Sequence, residues 1–152
     1  MWDLPGVPDA SPFAPEGYME GVKFPRYNAV IMASSQAFHR NSAAVWREAR
    51  AAQREAVYFA LLASERDTPE SLDARRKASL EALAAEGTPP PRVFLVRGTA
   101  LEGLDFPHLL EEVERDLPEV KASALLLALP ALSVAVVARK RDALKALVWA
   151  AA

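Results

Sequence analysis

Arg92-Val93-Phe94-Leu95-Val96-Arg97 is the stretch whose reading decides the fold. It is short, apolar and rich in β-preferring residues, with prolines before it and Gly98 after it, which is how a buried strand is bounded. Asp105 to Leu117 follows as a helix: Asp105 is a capping residue type, Pro107 falls in the first turn, and Phe106, Leu109, Leu110, Val113 and Leu117 recur at helical spacing. Pro118 ends it. A strand followed by a helix calls for a parallel partner reached through a βαβ crossover. The nearly unbroken apolar run from Ala122 to Ala138 supplies one as two strands, Ser123 to Leu129 and Leu132 to Ala138, turning at Pro130-Ala131, with Val134, Val136 and Val137 favouring β structure. The competing reading of 122–138 is a membrane helix at the short limit of spanning length, flanked by Lys121 and by Arg139-Lys140-Arg141. Asp142 to Ala151 reads as a last helix.

Upstream, Asp67-Thr68-Pro69-Glu70 is a helix start, with Thr68 as cap, Pro69 in the first position and Glu70 near the positive end of the dipole. That helix stops before Gly87, and Thr88 to Pro91 is a stiff connector into the strand at 92–97. Between Ser34 or Ser35 and about Ser64 the spacing predicts one long helix, since Phe38, Val45, Ala52 and Phe59 repeat every seven residues. It pairs antiparallel with the helix that follows. Its other side carries a basic row, Arg40, Arg47, Arg50 and Arg54. Tyr27 to Ala33 is a further short strand.

Residues 1–26 hold Pro5, Pro8, Pro12, Pro15 and Pro25 of the twelve prolines, a density that favours an extended path over helix or strand. Trp2, Leu4, Val7, Phe13, Tyr18, Met19 and Phe24 recur through it, so the segment reads as a pinned arm rather than a free polar tail. The expected organisation is this arm followed by one α/β domain over 27–152, with a sheet of about four strands, a long helix pair and a βαββα C-terminal half; α+β is the alternative class.

At 152 residues, folding buries roughly 70% of the unfolded surface, enough for a core without staples. There is no cysteine, so disulfides and thiolate metal sites are excluded. A net charge of −2 and a pI near 5.7 disfavour a dedicated nucleic-acid binder. Ile occurs once and Asn and Gln twice each, a thermophile-like bias. Without a basic start and apolar run at the N-terminus the chain reads as cytoplasmic.

No constellation for catalysis stands out. Ser35 and His39 lie four apart, but G-x-S-x-G is missing and no third group is evident. His108 lacks partners for a metal. Glu119-Val120-Lys121 has no acidic residue on the strand at 92–97 to share an ion. Glu111, Glu112 and Glu114 read as a solvated helix face. Neither G-x-G-x-x-G nor a P-loop can be written. The sequence therefore points to a non-catalytic assembly or accessory subunit that needs no cofactor. Its partners would be other protein subunits or further copies of itself, docked through Trp2, Leu4, Phe13, Tyr18, Phe24, Arg40, Arg47 and Arg54. The alternative is a small-molecule-binding or regulatory domain using Gly98, Thr99 and Gly103, on a loop after a strand and before a helix. A membrane-associated protein is the third reading.

Overall fold

The computed structural model describes residues 3–52, 56–85, 91–100, 102–129 and 134–150. Three parallel strands form its sheet: β1 (Val30–Ser34), β2 (Val57–Leu62) and β3 (Val93–Val96), in the order β1-β2-β3. Val30 pairs with Val57 and Ser34 with Leu61, while Phe59 pairs with Val93 and Leu62 with Val96. Among the described residues six α-helices accompany them: α1 (Pro15–Gly21), α2 (Arg40–Ala51), α3 (Pro69–Ala84), α4 (Phe106–Asp116), α5 (Glu119–Ala128) and α6 (Val134–Ala150). The class is α/β, as expected, but among the described residues the sheet has three strands rather than about four.

The crossover principle holds, although the partner of β3 lies upstream. β2 pairs with it, and α3 makes the crossover. The predicted helix over 35–64 is instead a shorter helix and a strand. Val57 to Leu61 are buried in succession, so both faces of β2 are covered and it shows none of the alternation that marks a half-buried strand. The seven-residue stripe arose because Phe38, Val45 and Phe59 belong to one core while sitting on different elements. The Phe38 and Phe59 rings meet edge to face, 4.9 Å apart at 77°.

The predicted hairpin over 123–138 is also overturned. Ala and Leu dominate this run and favour helix. Pro118 and Glu119 start α5, and Leu126 and Val136 pack with Leu110 of α4. Val136 follows that packing rather than its β preference, while Val134 and Val137 are exposed. The C-terminal half is therefore βααα, and no described helix is long and apolar enough to cross a membrane.

α2 and α3 cover one face of the sheet. Phe59, Leu61, Leu95, Val45, Trp46, Leu72 and Leu83 form the core there, each fully buried apolar side chain contributing roughly 1.5–3 kcal/mol. α4 covers the other face through Leu109 and Val113 against Tyr58, Phe94 and Val96. The N-terminal segment contains a helix the proline count argued against. Pro15 is tolerated in the first turn of α1, and no proline interrupts Glu16 to Phe24. Phe24 is 2% exposed within the domain's own core, with Val7, Phe13, Tyr18, Met19 and Val22 packed around it. Tyr18 Oη donates to the Pro5 carbonyl at 2.6 Å.

Candidate functional site

Because the strands are parallel, their C-terminal ends open onto one rim, and three loops meet there: 35–39 after β1, 63–68 after β2 and 97–105 after β3. Open α/β sheets bind ligands outside these ends. The loop after β2 is held by Asp67, whose Oδ2 accepts from the Ser64 backbone N–H at 2.6 Å and from Arg75 Nη2 at 2.9 Å. The Ser64 backbone N–H is the main reason that its carboxyl is held below the usual carboxylate range, the Ser64 hydroxyl and the Arg75 guanidinium adding to it. Thr68 then caps α3, its hydroxyl oxygen accepting from Ser71 N–H at 3.3 Å. Glu70 in that first turn has its carboxyl lowered by its own backbone N–H and by the Thr68 side chain.

Arg75 joins two of the loops. Its Nη1 donates to the Ser35 carbonyl and, at 3.5 Å, to the Leu62 carbonyl, while Nη2 holds Asp67. The buried Ser79 hydroxyl continues the link, accepting from Phe38 N–H at 3.1 Å and donating to the Arg75 carbonyl at 2.8 Å. The third loop is closed by Asp105. Its carboxylate accepts from Leu95 N–H at 2.9 Å and from Arg76, and its own N–H donates to the Leu95 carbonyl at 2.9 Å. Leu104 is left-handed at φ 56°, a strained conformation for a branched side chain. The loop starts after β2 and β3 lie side by side, since Ala63 N–H donates to the Val96 carbonyl at 2.8 Å.

The rim carries Gly98, Thr99 and Gly103, exposed, on the loop after β3. The residues expected to dock partners are scattered. Phe24 is buried and Phe13 and Tyr18 pack on the domain's own core; Leu4 is half-buried; Arg40 and Arg47 are exposed on α2; Trp2 and Arg54 lie outside the described residues. His39 contacts Asp9, and Asn41 Nδ2 donates to the Pro8 carbonyl at 2.6 Å, both fastening the arm to the start of α2. Among the described residues no group of three acidic or histidine side chains could hold a metal ion. The sequence reading missed Arg75, Arg76 and Arg97. Nothing in the one-dimensional pattern shows that α3 turns Arg75 and Arg76 toward carbonyls and carboxylates at strand ends.

Residues 1–152 match the family model "Interferon-inducible GTPase (IIGP)" along their whole length. The chain belongs to the interferon-inducible GTPase family. Interferon-gamma-inducible GTPase 10 of Mus musculus is 30% identical over 98% of this chain and 38% of its own length. Interferon-inducible GTPase 5 of Bos taurus is 32% identical over 95% of the chain and 34% of its own length. Interferon-inducible GTPase 1 of Mus musculus is 26% identical over 98% of the chain. The chain thus spans under two fifths of the length of these relatives. Membership of an interferon-inducible GTPase family overturns the expected non-catalytic assembly or accessory subunit, and with it the expectation of no enzymatic role. That expectation followed from the lack of a glycine-rich phosphate loop, the sign by which a nucleotide enzyme is most readily read.

Proposed function

We propose that this interferon-inducible GTPase chain forms the base-binding side of a guanine-nucleotide site, at the rim where loops 63–68 and 97–105 meet. The observation that carries this reading is the convergence of those loops at the ends of parallel strands, in a chain whose relatives are named as GTPases. Asp67 is engaged by Ser64 and Arg75. Glu65, one turn of the loop away, is exposed. A carboxylate there suits guanine, whose N1–H and N2–H groups are both donors and can share one acceptor pair.

The phosphates need a glycine-rich cradle, which these residues do not contain. Hydrolysis then requires such a loop from further polypeptide, and the unpaired edge of β1 suits its strand. Ile31 there is 47% exposed, which is unusual in a parallel sheet, where both faces are normally covered. An open groove runs along that edge between the arm and the ends of α4 and α5.

The test is an NMR-detected titration of the 15N-labelled chain with Mg2+-GTP and Mg2+-ATP to millimolar concentration. Saturable shifts confined to 63–68 and 97–105, stronger for GTP, are expected. No saturation, or equal response to both nucleotides, would overturn the reading.

A further inference from the structure

The loop after β3 reaches beyond the rim at Glu102. Between Arg97 and Asp105 the chain makes two successive tight turns, Ala100 N–H donating to the Arg97 carbonyl at 3.1 Å and Gly103 N–H to the Ala100 carbonyl at 3.0 Å. Its start is tied to β2 through the Ala63–Val96 hydrogen bond, and its end to β3 through Asp105. Glu102 sits in the second turn, and its Oε1 accepts from the Val134 N–H, the first of α6, at 2.9 Å.

A helix starts with N–H groups that have no partner inside it, and a side-chain oxygen on one of them stabilises the first turn. A carboxylate adds the attraction of its charge for the positive end of the helix dipole. Here that oxygen comes from the loop after β3. The body of α6 is fixed to α4 and α5: Arg139 donates to Glu111 at 2.7 Å and to Glu114 at 3.1 Å, Lys140 Nζ donates to the Leu127 carbonyl at 3.1 Å, and Val136 is buried in one cluster with Leu110 and Leu126. α4 itself begins at Asp105, where the loop closes. Loop, α4 and α6 therefore close a ring of contacts, in which Glu102 joins the loop to α6.

We infer that Glu102 is a positioning residue that couples occupancy of the rim to the first turn of α6. This rests on the guanine-nucleotide reading above and adds a means of regulation to that site. While Glu102 caps α6, the loop is held in one conformation, so a nucleotide that needs the loop in place loses less entropy on binding. By reciprocity, a bound nucleotide that fixes the loop strengthens the cap and steadies the first turn of α6.

The test is amide hydrogen exchange read by NMR on the full chain and on Glu102→Ala and Glu102→Gln, with and without Mg2+-GTP. The reporters are the N–H groups of Val134 and of Ala138, the latter closing the first helical turn. Mg2+-GTP should slow both about fivefold in the unaltered protein. Glu102→Ala should remove that protection and bind GTP more weakly; Glu102→Gln, whose amide oxygen still accepts, should keep most of both. Should the variants not fold, protection in the unaltered chain decides the matter. GTP bound at the rim loops with no change at Val134 or Ala138 overturns the coupling and leaves the guanine site standing. Protection that persists in Glu102→Ala, or that Glu102→Gln loses as fully, overturns the part given to Glu102. Unchanged GTP affinity in Glu102→Ala does the same, since a merely structural cap would speed exchange in α6 and leave binding alone. No binding of GTP at all removes both readings.

Discussion

Tyr58 Oη donates to Asp116 Oδ2 at 2.6 Å, fastening the central strand of the sheet to the last turn of α4. The same hydroxyl lies 3.3 Å from the Glu112 carbonyl, and Glu112 is itself gripped by Arg92 and Arg115. The face of the sheet opposite α2 and α3 is thereby closed by a polar clasp above an apolar contact.

Tyr58→Phe keeps the ring and removes the clasp. It should cost about 1–2 kcal/mol in urea unfolding at neutral pH. Burial first, then the bond to and the charge of Asp116, raise the Tyr58 hydroxyl above its ordinary value near 10. The stabilisation is complete below pH 10 and is lost as the pH climbs beyond it, because the unfolded tyrosine ionises first. The difference between the two proteins should therefore shrink in the alkaline limb; a constant difference would show that the hydroxyl bond does not govern it.

Asp67 has the opposite sign. Its folded carboxyl is depressed, chiefly by the Ser64 backbone N–H, so its contribution is present above the unfolded value and disappears as the pH falls through the lower folded one. Asp67→Asn should flatten that part of the acid unfolding curve, followed by circular dichroism from pH 6 to pH 2, and leave the alkaline limb alone.

Arg75→Ala severs the tie between the loops after β1 and β2 and should cost about 2 kcal/mol. Arg75→Lys should restore little, since one ammonium cannot reach Ser35, Leu62 and Asp67 in the planar fork that holds them. Chemical denaturation with hydrogen exchange at residues 63–67 would check both, and full recovery in the lysine variant would contradict the fork argument.

Thr68→Ala should lose about 1 kcal/mol, and Thr68→Ser should recover most of it, because the α3 cap needs only a hydroxyl oxygen facing Ser71 N–H. Matched thermal melts of the three proteins read this.

What could be read from the linear chain was what local chemistry fixes. Thr68-Pro69 carries its own helix-start chemistry, and the apolar 93–96 segment is bounded as a buried strand is. The errors lie where tertiary surroundings choose between two patterns. Val57 to Leu61 is buried on both faces and so loses its alternation, and Val136 packs from a helix against Leu110 and Leu126 rather than following its own β preference. The rim was half legible. Gly98, Thr99 and Gly103 were picked out because they follow a strand, whereas Arg75 and Arg76 are indistinguishable on paper from any surface cations. The enzymatic family was hidden for a similar reason, since its most readable mark, the phosphate cradle, is not among these residues.

The all-parallel sheet sets the order in which this polypeptide can become a structure. Each of these pairings must wait for a whole helix to be made, so β1 cannot bond β2 until Val57–Leu62 has left the ribosome, nor β2 bond β3 until Val93–Val96 follows. Such distant pairings slow the search.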